Sequence, residues 1–425
     1  MPENNFIQEQ SVMTPFNDHQ RIVKLVLDIG EQLIICGGEV SRVEETVMRV
    51  CAAYGAIKTD IFSITSNIII TSIWDNGDII TQTRRVSGVV RDFHKLEQLN
   101  ALSRRICTER LSIEEAQSEL KRISAQKKIP LWASLAGSIL IAFGFAIFFG
   151  GTLRDGIAAL ISSFSIFLID RYVYNKKMNS VVYYIVCCFM AGAIATGTVY
   201  LGIGQNLDKI MIGCIMLVIP GLNFTTAVED IMSGDTATGT LKICEAIMTA
   251  CAIACGFAFS VYLCKATELA ADSHLEVARW AQILTAAIGA VGYGFYFGLR
   301  RTRLAATFIG GGLAWLAYLI VIDWIGSVFV SALVVSILAT AYSQVLARIL
   351  KAPATVFIFP CIVPLVPGSG LYYTVSNWLL GNNDEILTYA SSTIETAIGL
   401  ALGIVVVVAL TKVIMSLLNK RNAKA

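Results

Sequence analysis

The sequence carries little charge. Only 15% of its 425 residues are Asp, Glu, Lys or Arg, and 55% are hydrophobic, whereas soluble domains have about 25% charged residues. Together with a mean hydropathy of +0.66, this composition predicts a multi-pass membrane protein. The net charge is only +2, and no basic stripe with interleaved aromatic residues is present, so we expect no nucleic acid partner.

CxxC pairs are also lacking, although the sequence has 11 cysteines. A zinc site needs clustered thiolates at tight spacing. We therefore expect no metal and no cofactor, and we interpret the cysteines within apolar runs as small apolar filler. The first twenty residues contain no basic segment followed by an apolar run, so they do not predict a signal peptide. The polar region that follows is expected to stay in the cytoplasm.

The charge that is present concentrates in the first 128 residues. We predict a disordered N-terminus over 1–19 and a cytoplasmic α+β domain over 20–128, followed by an all-α membrane domain. Alternating apolar and polar residues predict strands, with a hairpin turn at Asn76-Gly77. Helical periodicity covers four segments. They are 20–36, 41–54, 91–107 and 112–126.

Ten apolar runs approach the length of about 20 residues that crosses a bilayer. They lie near 131–150, 156–172, 181–202, 209–232, 243–264, 278–298, 304–322, 325–346, 354–380 and 392–418. Lys and Arg concentrate in alternate links, and such links stay in the cytoplasm. Both termini are therefore predicted to be cytoplasmic, with the protein in the plasma (inner) membrane. Lys209 is assigned to one of the outer links.

An internal repeat divides the membrane region. A shift of 147 residues places Pro220-Gly221 on Pro367-Gly368 and Gly234-Asp235 on Gly381-Asn382, and a shift of 148 places "FGFAIFFG" on "VGYGFYFG". We predict a duplication with five helices over 131–264 and five over 278–418. Because five is odd, the second copy would be inverted, as in many secondary transporters.

Both repeats carry a Pro-Gly break within an apolar run. A proline inside a helix costs about 3 kcal/mol, and transporters place their substrate site at such broken helices. Polar side chains follow both breaks. The predicted substrate-binding residues are Pro220, Gly221, Asn223, Thr225, Thr226, Asp230, Pro367, Gly368, Tyr372, Tyr373 and Asn377. The alternative is that the polar side chains only cap the resumed helices.

Two acids, Glu245 and Glu395, occur at nearly equivalent places within apolar runs of the two repeats. An acid in an apolar environment binds and releases a proton more readily near neutral pH. We therefore predict that these two residues couple transport to protons. The alternative is that both lie at the membrane interface and favour a helix N-terminus.

The polar region contains the stretch "IICGGEVSRVEETV". Gly37 and Gly38 are predicted to close one helix, and Ser41 with Glu44 predicts the capping box that starts the next.

The remaining charges of this stretch are Glu39, Arg42 and Glu45. Glu39 and Arg42 are expected to form an ion pair or to dock against the membrane domain. Their partner would otherwise be a second copy of the chain in a homo-oligomer, or a ligand.

Over nearly its whole length the chain resembles the threonine/serine exporter family. The residues that carry this resemblance are Gly37, Gly38, Glu39, Arg42 and Glu44, with the stretch from Pro220-Gly221 to Gly234-Asp235. The resemblance implies a proton-driven antiporter that exports small amino acids. Some relatives split the two halves into separate proteins and look like dicarboxylate exporters, so a succinate-like substrate is the alternative.

The family also suggests that the polar region resembles hydrolases. Of the three histidines, only His94 is predicted to lie in the folded part of that region. A Cys/His or Ser/His pair would have to use it. We therefore expect a protein that is not an enzyme, with a membrane-anchored enzyme or sensor as the second interpretation.

None of the apolar cores contains Lys or Arg away from its ends. A dicarboxylate would therefore find no side-chain cation at mid-depth. A single carboxylate can be held by the backbone N–H groups at the start of a half-helix. The sequence thus predicts a small zwitterion, such as threonine or serine, as the substrate.

Overall fold

The computed structural model describes residues 18–88, 90–126, 129–173, 178–266, 277–380 and 383–422. They form a mostly helical structure with one small sheet, and they cluster into two compact units. The first unit is Met1–Arg91 with Lys95–Gln126, and the second is Asp92–His94 with Lys127–Ala425.

The first unit contains three antiparallel strands and helices packed on them. Its elements are α1 (Asp18–Ile35), α2 (Val40–Ala53), β1 (Lys58–Ile64), β2 (Asn67–Ile73), β3 (Ile79–Arg85), α3 (Phe93–Glu109, whose first two residues belong to the second unit) and α4 (Ile113–Ser124). The strand order is β1-β2-β3. The turn between β2 and β3 contains Asn76-Gly77, with Gly77 at φ +85°, so the predicted hairpin and the four predicted helices are confirmed.

The core of the first unit lies between the sheet and helices α1 and α2. Side chains of the central strand β2 alternate between buried and half-buried, because successive side chains of a strand point to opposite faces. Ile68 and Ile70 lie on the buried face. From α1, Val23 and Leu27 are fully buried.

The N-terminal prediction of disorder over 1–19 is wrong for its last two residues, and residues 1–17 lie outside the described part of the chain. Asp18 and His19 begin α1. The His19 ring stacks on Trp74, with centroids 4.3 Å apart, and its Nδ1 lies 3.1 Å from Asp78 Oδ2. His94 is therefore not the only histidine in a folded region, contrary to the prediction.

The second unit contains the apolar helices. They are α5 (Leu131–Phe148), α6 (Leu153–Leu168), α7 (Ser180–Tyr200), α8 (Leu207–Ile215), α9 (Gly221–Met232), α10 (Thr236–Leu263), α11 (Arg279–Tyr296), α12 (Arg301–Ile325), α13 (Val328–Ile349), α14 (Thr355–Ile362), α15 (Gly368–Leu380) and α16 (Asn383–Asn422). A π-helical turn, Ile169–Val173, extends α6, and a 3₁₀ turn, Val363–Leu365, extends α14.

Seven described helices are long and apolar enough to cross a membrane: α5, α6, α7, α10, α12, α13 and α16. The pair α14–α15 is bent by 46° and makes an eighth if it is counted as one span. The predicted fourth and sixth spans coincide with α8–α9 and α11, which do not meet these criteria. The prediction of ten spans is thus confirmed for seven or eight of them.

The same order of elements occurs twice in the second unit. Helices α5 to α10 comprise three helices, a broken pair and one long helix, and α11 to α16 repeat this order. The packing repeats as well: α5 on α6, α6 on α7 and α7 on α10 correspond to α11 on α12, α12 on α13 and α13 on α16.

The first helices of the two halves, α5 and α11, pack against each other in a reciprocal way. A Cβ atom added to Gly137 would lie 2.8 Å from the Gly292 carbonyl oxygen, and one added to Gly144 would lie 3.2 Å from the Thr285 carbonyl oxygen. Residues 137 and 285 are 148 positions apart, and so are 144 and 292. The two contacts are therefore equivalent under the repeat, and α5 and α11 run antiparallel.

Candidate functional site

Both predicted helix breaks are present. Helix α8 ends at Ile215 and α9 resumes at Gly221, directly after Pro220. In the second half, α14 contains Pro360 and passes through a 3₁₀ turn, and α15 resumes directly after Pro367. Pro220 and Pro367 have no N–H to donate to the preceding turn, and in both halves a new helix starts at the glycine that follows.

The two breaks meet in the structure. A Cβ atom on Gly221 would lie 3.0 Å from Gly368 Cα and 2.6 Å from Val366 Cγ1. In return, a Cβ atom on Gly368 would lie 2.8 Å from Ile219 Cγ2. Ile219 and Val366 are 147 positions apart, as are the two glycines, so these contacts are again reciprocal. Only glycine allows the two backbones to approach this closely.

A cavity of about 60 Å³ lies beside the meeting point. It is lined mainly by apolar side chains, including Ile219, Leu222 and Val366. Its wall also contains Tyr293, whose hydroxyl donates a hydrogen bond to the Met216 carbonyl. The volume has room for a few water molecules.

The predicted binding residues after the first break lie on α9. The hydroxyl of Thr225 donates to the Gly221 carbonyl at 3.1 Å, and that of Thr226 donates to the Asn223 carbonyl at 3.1 Å. Asp230 accepts a hydrogen bond from Lys242 Nζ at 2.6 Å. In this conformation the two threonines donate to backbone carbonyls within their own helix, and the start of α9 has no side-chain cap, so α9 does not bear out the capping alternative.

The predicted residues after the second break lie on α15. Tyr372 and Asn377 are buried, and the Tyr372 ring packs edge-on against Phe257, with centroids 6.3 Å apart. The hydroxyl of Tyr373 donates to the carboxylate of Asp208, 3.1 Å from Oδ2 and 3.3 Å from Oδ1. Tyr373 thus connects the second half to a charged group of the first.

Asp208 and Lys209 form a buried ion pair that the sequence interpretation missed. They lie in the first turn of α8, with Lys209 Nζ 2.9 Å from Asp208 Oδ2. The Lys209 side chain is 7% exposed and the Asp208 side chain is 12% exposed. Lys209 therefore lies in a helix and not in a link as assigned, whereas the side of the membrane on which α8 begins stays a prediction. An Asp-Lys pair at the start of the run "LDKIMIGCIMLVIP" was the available signal.

Glu245 and Glu395 have exposed side chains on α10 and α16. These helices begin at Thr236 and Asn383, so both acids lie beyond the first turn, where the influence of the helix dipole has faded. The alternative of acids at a helix N-terminus is therefore wrong, whereas their role in proton coupling stays a prediction.

A buried charge anchors the segment before each broken helix. The carboxylate of Asp155 accepts hydrogen bonds from the backbone N–H groups of Gln205, at 2.6 Å, and Asn206, at 2.9 Å. In the second half, Arg303 Nη2 donates to the Leu350 carbonyl at 3.2 Å. Asp155 and Arg303 are 148 positions apart. Equivalent positions therefore bind the backbone of the segment before the broken helix with side chains of opposite charge.

In the first unit, the double glycine closes α1 as predicted. Gly37 has φ +90°, and its N–H donates to the Ile34 carbonyl at 3.0 Å. The N–H of Gly38 donates to the Leu33 carbonyl at 2.9 Å. This pair of bonds is the Schellman motif. These glycines are structural.

The predicted capping box at Ser41 and Glu44 is wrong. Helix α2 starts earlier, with Glu39 at its N-cap position. The Glu44 carboxylate instead accepts hydrogen bonds from the backbone N–H and the hydroxyl of Ser63 on β1, both at 2.8 Å.

The same S-x-x-E pattern does form a capping box at Ser112 and Glu115, where α4 begins. The predicted ion pair between Glu39 and Arg42 is confirmed, with Arg42 Nε 2.9 Å from Glu39 Oε2.

The first unit offers poor conditions for a cysteine nucleophile. Burial raises the pKa of the Cys51 thiol to about 11, whereas catalytic cysteines have lowered pKa values. Burial likewise raises the pKa of Tyr54 to about 12. Among the described residues, no group of His, Cys, Asp and Glu side chains is arranged to hold a metal ion.

Broken helices that meet between two similarly built halves are a feature of membrane transporters. The family model described as "Putative threonine/serine exporter" matches residues 24–264, and the model described as "Threonine/Serine exporter, ThrE" matches residues 282–410. The chain therefore belongs to the threonine/serine exporter family, which is a family of transporters and not of enzymes.

The threonine/serine exporter of Corynebacterium glutamicum is 23% identical over 417 residues, covering 91% of this chain and 82% of that protein. No solved structure matches the chain. The resemblance inferred from the double-glycine stretch and the Pro-Gly breaks is thus confirmed.

Proposed function

We propose that the protein is a proton-coupled antiporter that exports small zwitterionic amino acids, such as threonine and serine, across the plasma membrane. The observation that carries the proposal is the meeting of the two breaks, where Gly221 faces Gly368. Family membership supports amino acid export. The geometry of the breaks supports a substrate route between the two halves.

An inverted duplication underlies this proposal. Contacts between α5 and α11 are reciprocal under a shift of 148 residues, and contacts between the breaks are reciprocal under a shift of 147. Reciprocal contacts are expected around a local two-fold axis. The antiparallel course of α5 and α11 supports an axis that relates two halves of opposite orientation. Such halves alternate access by moving against each other around a shared site.

The half-helices α9 and α15 start where the breaks meet. Their first N–H groups lack partners within the helix and carry the positive end of the helix dipole, which suits a single carboxylate. Polar side chains along the two helices, among them Asn223 and Asn377, would then contact the rest of the substrate during transport.

Glu245 and Glu395 are proposed to carry the coupled protons. Both are exposed on helices made mostly of apolar residues, and a charged carboxylate is costly in hydrocarbon. Exchange of each Glu for Gln is expected to leave transport that no longer follows an imposed pH gradient. If both Gln variants still concentrate substrate against its gradient as the parent does, the assignment is wrong.

The two ends of the chain are proposed to be cytoplasmic. Lys and Arg concentrate in alternate links, which is the pattern of cytoplasmic loops. An even number of spans follows from this placement, and ten spans would include α8–α9 and α11.

Transport by the full-length protein in proteoliposomes tests the function directly. We expect labelled threonine and serine to be transported and to compete with each other, with a rate that responds to the pH gradient. Empty liposomes provide the background. If succinate is transported or blocks transport while excess threonine and serine have no effect, the substrate is a dicarboxylate and the proposal fails.

A further inference from the structure

We propose that the buried pair of Asp208 and Lys209 recognises the ammonium and the carboxylate of the transported amino acid. This inference rests on the proposed function. It adds to the contacts at the breaks a second, charge-selective site on the substrate's route, formed by two residues outside the segments that follow the breaks.

The pair lies where the two halves of the second unit meet. Asp208 and Lys209 lie in the first turn of the broken helix α8 of the first half. Tyr373, from α15 of the second half, donates its hydroxyl hydrogen to the Asp208 carboxylate. The Tyr373 ring stacks on Tyr389 of α16, with centroids 4.9 Å apart. Transporters with two related halves bind their substrates at this kind of interface.

The fold itself does not require charges at this position. A shift of 147 residues places Asp208 and Lys209 on Thr355 and Val356, which begin α14. Thr355 and Val356 are also buried, at 4% and 0% exposed. Both α8 and α14 lead into a Pro-Gly break, so the same local structure forms once with an ion pair and once with uncharged side chains.

Burial of two charges opposes folding unless they are well paired. Since the second half uses Thr and Val for the same structural task, packing does not explain the charges of Asp208 and Lys209. Recognition of a charged solute does.

The chemistry of the pair fits an α-amino acid. Lys209 Nζ and Asp208 Oδ2 are 2.9 Å apart, so a cation and an anion lie side by side. A substrate carboxylate would take the place of Asp208 at the lysine, and the substrate ammonium would pair with Asp208. Each charge exchanges one partner of opposite sign for another, and the site stays neutral.

Asp208 can keep its bond from Tyr373 during this exchange, because a carboxylate has about four acceptor sites. A dicarboxylate in the same place would add a negative charge that no side chain of the pair compensates. The pair therefore selects for a zwitterion.

Competition in proteoliposomes tests the inference with three solutes that differ in charge. Serine has both groups, ethanolamine lacks the carboxylate, and 3-hydroxypropionate lacks the ammonium. For the parent protein, we expect each analogue to inhibit labelled serine transport about tenfold or more weakly than serine, the ratio that one charged hydrogen bond provides.

The two single variants should change this ranking in opposite ways. In Lys209→Met, ethanolamine should inhibit about as well as serine, while 3-hydroxypropionate is still rejected. In Asp208→Asn, 3-hydroxypropionate should inhibit about as well as serine, while ethanolamine is rejected. If the pair had a purely structural role, inhibition by all three solutes would weaken together.

The matched control is the exposed ion pair of Arg279 and Asp323. Arg279 Nη2 lies 3.1 Å from Asp323 Oδ1. Arg279→Gln and Asp323→Asn should keep the ranking of the parent. If a single variant at the buried pair fails to fold, the double variant Asp208→Thr/Lys209→Val replaces both, because it copies the second half. The double variant should fold. In it, unlabelled serine should inhibit labelled serine transport only as weakly as ethanolamine and 3-hydroxypropionate do.

The outcomes separate the two proposals. If the parent transports serine, and the single variants and the double variant all keep its ranking of the three solutes, the assignment of Asp208 and Lys209 is wrong and amino acid export stands. If the parent transports neither threonine nor serine, the proposed function fails and this inference fails with it.

Discussion

Replacement of Gly221 by Ala tests the meeting of the two breaks. The added methyl group would lie 3.0 Å from the Cα of Gly368, 3.1 Å from its backbone nitrogen and 2.6 Å from Val366 Cγ1. Carbon atoms of neighbouring groups prefer separations of about 3.5–4.0 Å. The two backbones would therefore have to move apart by roughly half an ångström or more.

The equivalent replacement of Gly368 should be milder. Its methyl group would meet only the side chain of Ile219, with Cγ2 at 2.8 Å and Cγ1 at 3.4 Å, and a side chain yields more easily than a backbone. Overpacking of this kind costs about 1–3 kcal/mol. We expect Gly221→Ala at the upper end of this range and Gly368→Ala at the lower end.

Thermal melting of the purified full-length protein gives the ranking, and serine flux gives the functional effect. Gly197→Ala is the control, because nothing lies within 4 Å of a Cβ atom at that position. Its melting temperature should equal or exceed that of the parent, because Ala is more favourable than Gly inside a helix by up to about 1 kcal/mol. Gly221→Ala should have the lowest melting temperature of the three and the lowest flux.

Double variants make the reasoning refutable. The decrease in melting temperature caused by Gly368→Ala should largely disappear in an Ile219→Ala background, because the close Cγ atoms are then removed. The loss caused by Gly221→Ala should persist in a Val366→Ala background, because the Gly368 backbone remains. Equal losses for the two glycines, or full rescue of Gly221→Ala, would show that the breaks do not approach as described.

Three further predictions concern the first unit. Glu44→Ala should reduce its free energy of unfolding by about 1–3 kcal/mol, since a buried N–H and a hydroxyl of β1 lose their acceptor, whereas Ser41→Ala should not; hydrogen exchange of the β1 amides in the full-length protein distinguishes the two. The backbone hydrogen bond at the N-cap of α4 holds the pKa of Glu115 below its ordinary value of 4.5. The capping box should therefore stabilise α4 above that pH and lose its contribution as the pH falls through the lowered pKa, so the protection factors of the α4 amides, which correct for the intrinsic exchange rate at each pH, should fall in acid in the parent but not in Glu115→Gln. Finally, a maleimide should label the exposed Cys107 and not the buried Cys51, as mass spectrometry of single-cysteine variants would show; rapid labelling of Cys51 would contradict the described core.

Local chemistry was enough to predict several elements from the sequence. Alternation of apolar and polar residues and the Asn76-Gly77 pair predicted the strands and their hairpin, because both depend on neighbouring residues. The end of α1 followed from Gly37 and Gly38 for the same reason. Pro220 and Pro367 predicted where the helices break, since a missing N–H acts within one turn.

Tertiary structure decided what the same local patterns became. The S-x-x-E pattern occurs at Ser41 and at Ser112, and it forms a capping box only at Ser112. In the Ser41 pattern, the carboxylate three residues later belongs to Glu44. It accepts hydrogen bonds from Ser63 on β1 instead of capping α2. No property of the four residues themselves distinguishes the two cases.

The candidate site depended still more on the tertiary structure. The sequence by itself determined that each half has a Pro-Gly break and that the two breaks are equivalent. It did not determine that Gly221 and Gly368 touch, or that Lys209 is buried beside Asp208, because both facts depend on how helices far apart in the chain pack together. Lys209 looked like a loop residue since charge and position in the sequence report a residue's neighbours along the chain, whereas burial is set by neighbours across the fold.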